Sequence, residues 1–189
     1  MKKKVVALIL AVLTVAFVAA CAQKQVAQPT GDIPQPGATS GQGQGGVPSE
    51  LASQFSDARW NELGLDTEAQ RREFLMESQK FQNQDIYFDF DVYTLTEEAK
   101  GILNAKVAFL KKFPKVDVTI EGHCDERGTN EYNLALGERR AGSVYLYLAN
   151  AGITGSRLTS VSYGEERPLA LGHDESSWAM NRRAHFVLR

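Results

Sequence analysis

The sequence predicts an α/β (α+β) two-layer sandwich over roughly its last 105 residues, built from four strands and two main helices. Hydropathy runs strand–helix–strand–helix–strand–strand, switching between a period of two and a period near 3.6. Helix signals punctuate it: Thr96 as a cap, Pro114 and Gly152 as stops. Two cysteines exclude a disulfide scaffold and a zinc site built mainly from thiolates.

Residues 1–20 read as a signal peptide. Lys2, Lys3 and Lys4 form a basic start, and residues 5–20 are uncharged and almost wholly apolar. Sixteen such residues rise about 24 Å as a helix, short of the roughly 30 Å hydrocarbon core of a bilayer. The run closes on Val18-Ala19-Ala20-Cys21, which resembles a bacterial lipobox. In such signals the cysteine receives S-diacylglycerol, becomes the new amino terminus and is N-acylated. Lipid on Cys21 is therefore expected, and no other cofactor and no metal. Ala22, where Asp would favour inner-membrane retention, points to the outer membrane. An acylated Cys21 leaves Cys124 as a small, half-buried thiol without a bridge.

Residues 21–49 read as a flexible linker: in 22–48, Gly, Pro and Gln supply 16 of 27 residues and there is no aromatic. A coil of that length spans about 30 Å r.m.s. and reaches about 90 Å when extended. Residues 50–82 read as a helical extension, with a capping box at Thr67-Glu68-Ala69-Gln70 and Phe74, Met76 and Phe81 among many charges. Trp60, Leu63 and Leu65 are candidates to dock on the domain that follows.

That domain occupies residues 83–189. Residues 86–90, rich in aromatic and β-branched side chains, predict a strand. Glu97 and Glu98 then sit in the first turn of a helix that buries Leu103, Val107 and Leu110 and ends at Lys111, Lys112 and Pro114. Val116, Val118 and Ile120 alternate with Asp117, Thr119 and Glu121, predicting a half-exposed strand. After a polar loop at 122–130, residues 131–151 predict the second helix, apolar at Leu134, Ala141, Val144 and Leu148. Residues 158–163 and 184–188 predict the last strands, and 164–180 mostly loop.

Charge narrows the function. Beyond the first twenty residues the chain carries 18 basic and 23 acidic side chains and no basic stripe, so nucleic acid is excluded as a partner. No Gly-x-Ser-x-Gly elbow or His-Glu-x-x-His helix appears, and no enzyme is expected. His123, Cys124, Asp125, His173 and His185 lack the paired spacing of a structural zinc site. An ion-pairing pocket has more behind it. Asp125 stands where the second strand meets its loop, while Asn133 and Arg140 are seven residues apart and within about 20° of one helix face. A carboxylate opposite a guanidinium, with an amide between, suits a zwitterion. A capping aspartate with a surface arginine reads equally well from spacing.

The stretch Glu121-Gly122-His123-Cys124-Asp125-Glu126-Arg127-Gly128-Thr129-Asn130-Glu131-Tyr132-Asn133-Leu134-Ala135-Leu136-Gly137-Glu138-Arg139-Arg140-Ala141 resembles the core motif of OmpA-like peptidoglycan-binding domains. Tyr87-Phe88-Asp89-Phe90-Asp91, Ser162-Tyr163-Gly164-Glu165-Glu166-Arg167-Pro168, Leu171-Gly172-His173-Asp174-Glu175 and Asn181-Arg182-Arg183-Ala184 extend the similarity over residues 85–189. Lipobox and linker in front resemble the lipid-anchored members. The resemblance implies a mixed four-stranded sheet and non-covalent binding of the peptide stem of peptidoglycan through meso-diaminopimelate. By position it makes Asp125 the ammonium ligand, Arg140 the carboxylate ligand and Asn133 a supporting amide. It puts Asp91 and one of Arg182 or Arg183 at the rim. Arg139 points about 100° away from Arg140 and is not chosen. Cys124 stands where relatives usually carry Ala, Ser or Thr. Also implied are an outer-membrane location facing the periplasm, a role in envelope integrity and division, and the Tol system as partner through TolB and TolA. A lipid-anchored protein-interaction scaffold that ignores the wall is the alternative.

Overall fold

Among the described residues ten elements follow one another, with side-chain caps at most helix starts. The structure is a computed structural model and describes residues 55–189; the readings for residues 1–20, Cys21 and the 21–49 linker lie outside the described residues. Helix α1 is Asp57–Leu63, capped by Ser56 and closed by Gly64 at φ 74°. Helix α2 is Glu68–Gln82, opened by the reciprocal Thr67/Gln70 capping box. Then come β1 (Ile86–Tyr87), α3 (Glu97–Lys112), β2 (Val118–His123), α4 (Asn130–Asn150), a 3₁₀ turn (Gly155–Arg157), β3 (Leu158–Gly164), α5 (Glu175–Asn181) and β4 (Arg183–Leu188). Thr96, Thr129 and Asp174 cap α3, α4 and α5 by accepting from backbone N–H groups three residues on.

The sheet order is β1-β4-β2-β3, with β2 and β3 parallel and the other pairs antiparallel. It is thus mixed and four-stranded, as the fold class expected. One face carries Ile86, Ile120, Leu158, Ala184 and Phe186 into a core shared with Leu103, Leu110, Ala141, Val144 and Leu148 of α3 and α4. Gly122 and Gly137 let β2 and α4 approach until their backbones touch, since a Cβ on Gly122 would collide with the Gly137 carbonyl.

Three expectations are corrected. The strand expected at 86–90 pairs only over Ile86–Tyr87, because the chain turns through Asp91 at φ 57° and the carbonyls of Asp89 and Val92 go to Arg140. The half-exposed strand is a central one: β2 lies between β4 and β3, and Thr119 is buried along with Val118 and Ile120. The loop after β3 contains α5, whose seven residues are too few to show a helical period. Residues 57–82 of the extension form α1 and α2. Its Trp60, Leu63, Leu65, Phe74 and Phe81 join the domain's core cluster. Phe74 contacts Trp60 at 6.0 Å, Phe109 at 6.1 Å and Phe113 at 5.1 Å between ring centres.

Candidate functional site

The candidate pocket forms where three short connections meet: the turn after β1, the β2–α4 loop and the first turns of α4. Its volume is about 260 Å³, and Asp91, Asp125, Asn133 and Arg140 line it together with Phe90, Cys124, Arg127, Gly128, Tyr132 and Leu136. The structure brings together four of the residues that the sequence singles out. Arg182 stands behind them, donating to Asp125 Oδ2 at 3.3 Å.

Asp125 is buried at the end of β2. Its carboxylate accepts from Arg127 Nε at 3.1 Å, Nη2 at 2.7 Å and backbone N–H at 3.1 Å. Burial acts to raise the carboxyl, but the Arg127 and Arg182 donors overcome it and hold it below the ordinary aspartate value. The group is therefore an anion at neutral pH.

Arg140 is fully buried on α4, the largest side chain to be so among the described residues. Nε donates to Val92 O at 2.9 Å, Nη1 to His123 O at 2.9 Å and to Cys124 Sγ at 3.4 Å, and Nη2 to Asp89 O at 3.0 Å. Helix α4 packs so closely on β2 that the guanidinium reaches backbone carbonyls, and only one Nη2 hydrogen stays uncommitted. Arg140 braces the β1 turn against the end of β2 and, with Arg127, gives the pocket positive charge. Burial lowers its pKa below the usual value.

Asn133, one face of α4 below Arg140, donates through Nδ2 to Asp125 O at 3.2 Å, Arg127 O at 3.3 Å and Glu165 Oε2 at 2.6 Å. It staples the β2–α4 loop and the segment after β3 to one helix. Asp91, in the left-handed turn, accepts from the Tyr132 hydroxyl at the mouth. Cys124 is a buried free thiol donating to Asn133 O at 3.3 Å; burial pushes it up to about 11 against the pull of Arg140, so it is an inert wall.

Of Arg182 and Arg183, Arg182 is the one beside Asp125 and Arg183 lies elsewhere. Adjacent residues of a strand point to opposite faces, so β4 sends Arg183 to the far side of the sheet, where its Nε lies 3.3 Å from Asp85 Oδ2. Arg182, the C-cap of α5 just before the strand, is held beside the pocket by Nε to Phe88 O and Nη2 to Glu175 Oε1. Arg139 lies outside the pocket, 6.0 Å from the Tyr93 ring. The histidines are dispersed. His123 stacks on Tyr163, and burial, with Arg183 and His185 nearby, pushes its pKa down to about 3. His173 pairs with Glu126 and His185 with Asp85. Among the described residues no group of three or more His, Cys, Asp or Glu side chains is placed to hold a metal ion.

Sequence reasoning missed Arg127, Phe90 and Trp178. The guanidinium of Arg127 lies 4.1 Å from the Phe90 ring centre and 4.2 Å from that of Trp178. Its place two residues after Asp125, within a turn, was the available signal; Phe90 stands beside Asp91 in the motif of residues 87–91, and Trp178, from a remote segment, left none.

The profile of the OmpA family matches residues 87–182. The chain is 52% identical over 99 residues to the peptidoglycan-associated lipoprotein of Haemophilus influenzae, covering 52% of this chain and 65% of that one. It is 53% identical over 97 residues to the protein of that name from Pseudomonas aeruginosa, covering 51% and 57%. The matches thus span less than two thirds of these relatives. The crystal structure of the peptidoglycan-associated lipoprotein from Burkholderia pseudomallei superposes with a TM-score of 0.55 at 45% identity, over 56% of this chain and 90% of that one. The C-terminal domain of Helicobacter pylori MotB shares the fold at 19% identity and a TM-score of 0.53, over 56% and 84%. With its mixed sheet and a profile match over residues 87–182, the chain belongs to the OmpA family.

Proposed function

We propose that this chain is an outer-membrane lipoprotein whose pocket grips the peptide stem of peptidoglycan without covalent chemistry. The observation that carries the reading is the convergence of an ionised Asp125 and a buried Arg140 on one pocket of about 260 Å³. The side-chain end of meso-diaminopimelate carries an ammonium and a carboxylate on one carbon. The ammonium takes the Asp125 carboxylate, and the carboxylate takes the pocket's positive end, with Asn133 holding the loop between them. Each charge-assisted hydrogen bond contributes about 1.5–3 kcal/mol. Names of relatives that include both peptidoglycan and lipoprotein support the same reading.

Residues 1–20 are then a cleaved signal, Cys21 the acylated anchor and residues 21–49 the leash between outer membrane and wall. Residues 50–82 and 83–189 supply the helical extension and the wall-binding domain. TolB and TolA are the proposed partners, within a Tol–Pal system that supports envelope integrity and outer-membrane constriction at division. Many weak, reversible attachments give avidity and still allow remodelling. No catalytic step is required.

The test is co-sedimentation with purified sacculi. The protein should pellet, and free meso-diaminopimelate or Asp125→Ala should keep it in the supernatant. A protein that never pellets is an interaction scaffold instead.

A further inference from the structure

We propose that Arg127 is a built-in occupant of the cation seat at Asp125, and that exchange with it makes the pocket select a zwitterion over a simple amine. The inference rests on the reading of this pocket as the receptor for the stem's side-chain end.

The seat is already full. Arg127 meets both Asp125 oxygens, at 3.1 and 2.7 Å, and the rings of Phe90 and Trp178 both lie against its guanidinium. A carboxylate bounded by aromatic faces is a cation receptor, and here the cation comes from the chain itself. Trp178 is fixed in turn, its Nε1 donating to Glu126 Oε1 at 2.9 Å. Of the two arginines on Asp125, Arg182 is 7% exposed and tied to Phe88 O and Glu175, whereas Arg127 is 31% exposed. Gly128 follows Arg127 with φ 119°, a conformation that spares the loop the strain of a side chain as it turns away. Arg127 is the one that can leave.

An incoming ammonium exchanges one cation for another on the same carboxylate and gains little. The displaced Arg127 must also find an anion. Among the described residues its nearest other ion-pair partner is Glu175, 3.6 Å from Nη1 and already held by Arg182. A ligand that brings its own carboxylate beside its ammonium supplies that anion, and the planar fork of Arg127 suits it. Arg140, with one free hydrogen, cannot do this bidentately. The charge balance closes for a zwitterion and stays open for a lone amine. Arg127 thereby acts as a specificity-determining residue and not only as a loop tie.

The test compares two N-acetylated peptide amides, one ending in meso-diaminopimelate and one in lysine, which offer the side-chain ammonium with and without its carboxylate. Binding of each to the full-length chain in detergent is measured by calorimetry, for wild type and Arg127→Gln. Wild type should prefer the diaminopimelate peptide by about tenfold or more, the scale of one charge-assisted contact. Arg127→Gln should still bind both and lose most of that preference. In wild type the Arg127 Nε–Hε NMR signal should leave its ring-shifted position when the diaminopimelate peptide is added and stay there with the lysine peptide. An unchanged preference in Arg127→Gln, or equal loss of both peptides, overturns the inference and leaves the wall-binding reading standing. Failure of wild type to bind the diaminopimelate peptide defeats the wall-binding reading first.

Discussion

Lys106 Nζ lies 4.3 Å from the centre of the Phe81 ring and donates to the carbonyl of the same residue. The Phe186 ring covers the ammonium from 3.9 Å. One amine thus ties the last turn of α2 to α3 and to the sheet. Burial lowers its pKa to about 7, with Asp85 opposing. The unfolded lysine keeps its proton up to about 10.4. Between about 7 and 10 the unfolded state therefore holds more protons, and stability rises with pH through that window. Below about pH 7 the burial penalty is present in full. Lys106→Met should remove the slope, which urea denaturation of both proteins at pH 6, 8 and 9.5 will check.

The Gly122–Gly137 approach predicts a severe effect from one methyl group. Gly122→Ala would set its Cβ against the Gly137 carbonyl, on backbone that has no room to yield. A loss of about 1–3 kcal/mol or more is expected, read as a lowered midpoint in thermal unfolding. Gly142→Ala, where nothing lies within 4 Å of the added Cβ, should be neutral or stabilising and serves as the control.

Arg140→Ala should unfold the site before it tests it. Three backbone carbonyls lose their donor, that of His123 in a buried place and those of Asp89 and Val92 in part-buried ones. A cost of about 3–5 kcal/mol is expected. Arg140→Lys keeps the charge, satisfies fewer of those carbonyls and should lower both thermal stability and sacculus binding. Asp125→Asn should weaken binding with less effect on stability, and the contrast separates receptor from brace.

The extension should unfold with the sheet. Phe74 is 1% exposed among Trp60, Phe109 and Phe113. Phe74→Ala should cost about 3–5 kcal/mol and lower hydrogen-exchange protection in β2 as well as in α2. Loss of protection confined to residues 57–82 would make the extension an independent unit.

Much of this protein was legible before any coordinates. The caps at Thr67 and Thr96, the stop after Lys112 and the period of α4 are local facts, because a helix end is decided by residues three or four positions apart. Asp125, Asn133 and Arg140 were recognisable by motif and by helical phase. The two-layer class followed from the order of periods alone.

Other features needed the tertiary structure, for one reason: they depend on residues far apart in the chain. Whether Arg140 opens toward a ligand or braces carbonyls depends on Val92, 48 residues earlier. That Arg183 faces away while Arg182 serves Asp125 depends on the register of β4 against β2. Arg127 becomes an occupant only because Phe90 and Trp178 arrive from opposite ends of the domain. Local sequence determined which elements form, since helix and strand signals act over one or two turns. Packing decided which charges meet, since a buried charge takes whatever partner the fold brings within about 3 Å.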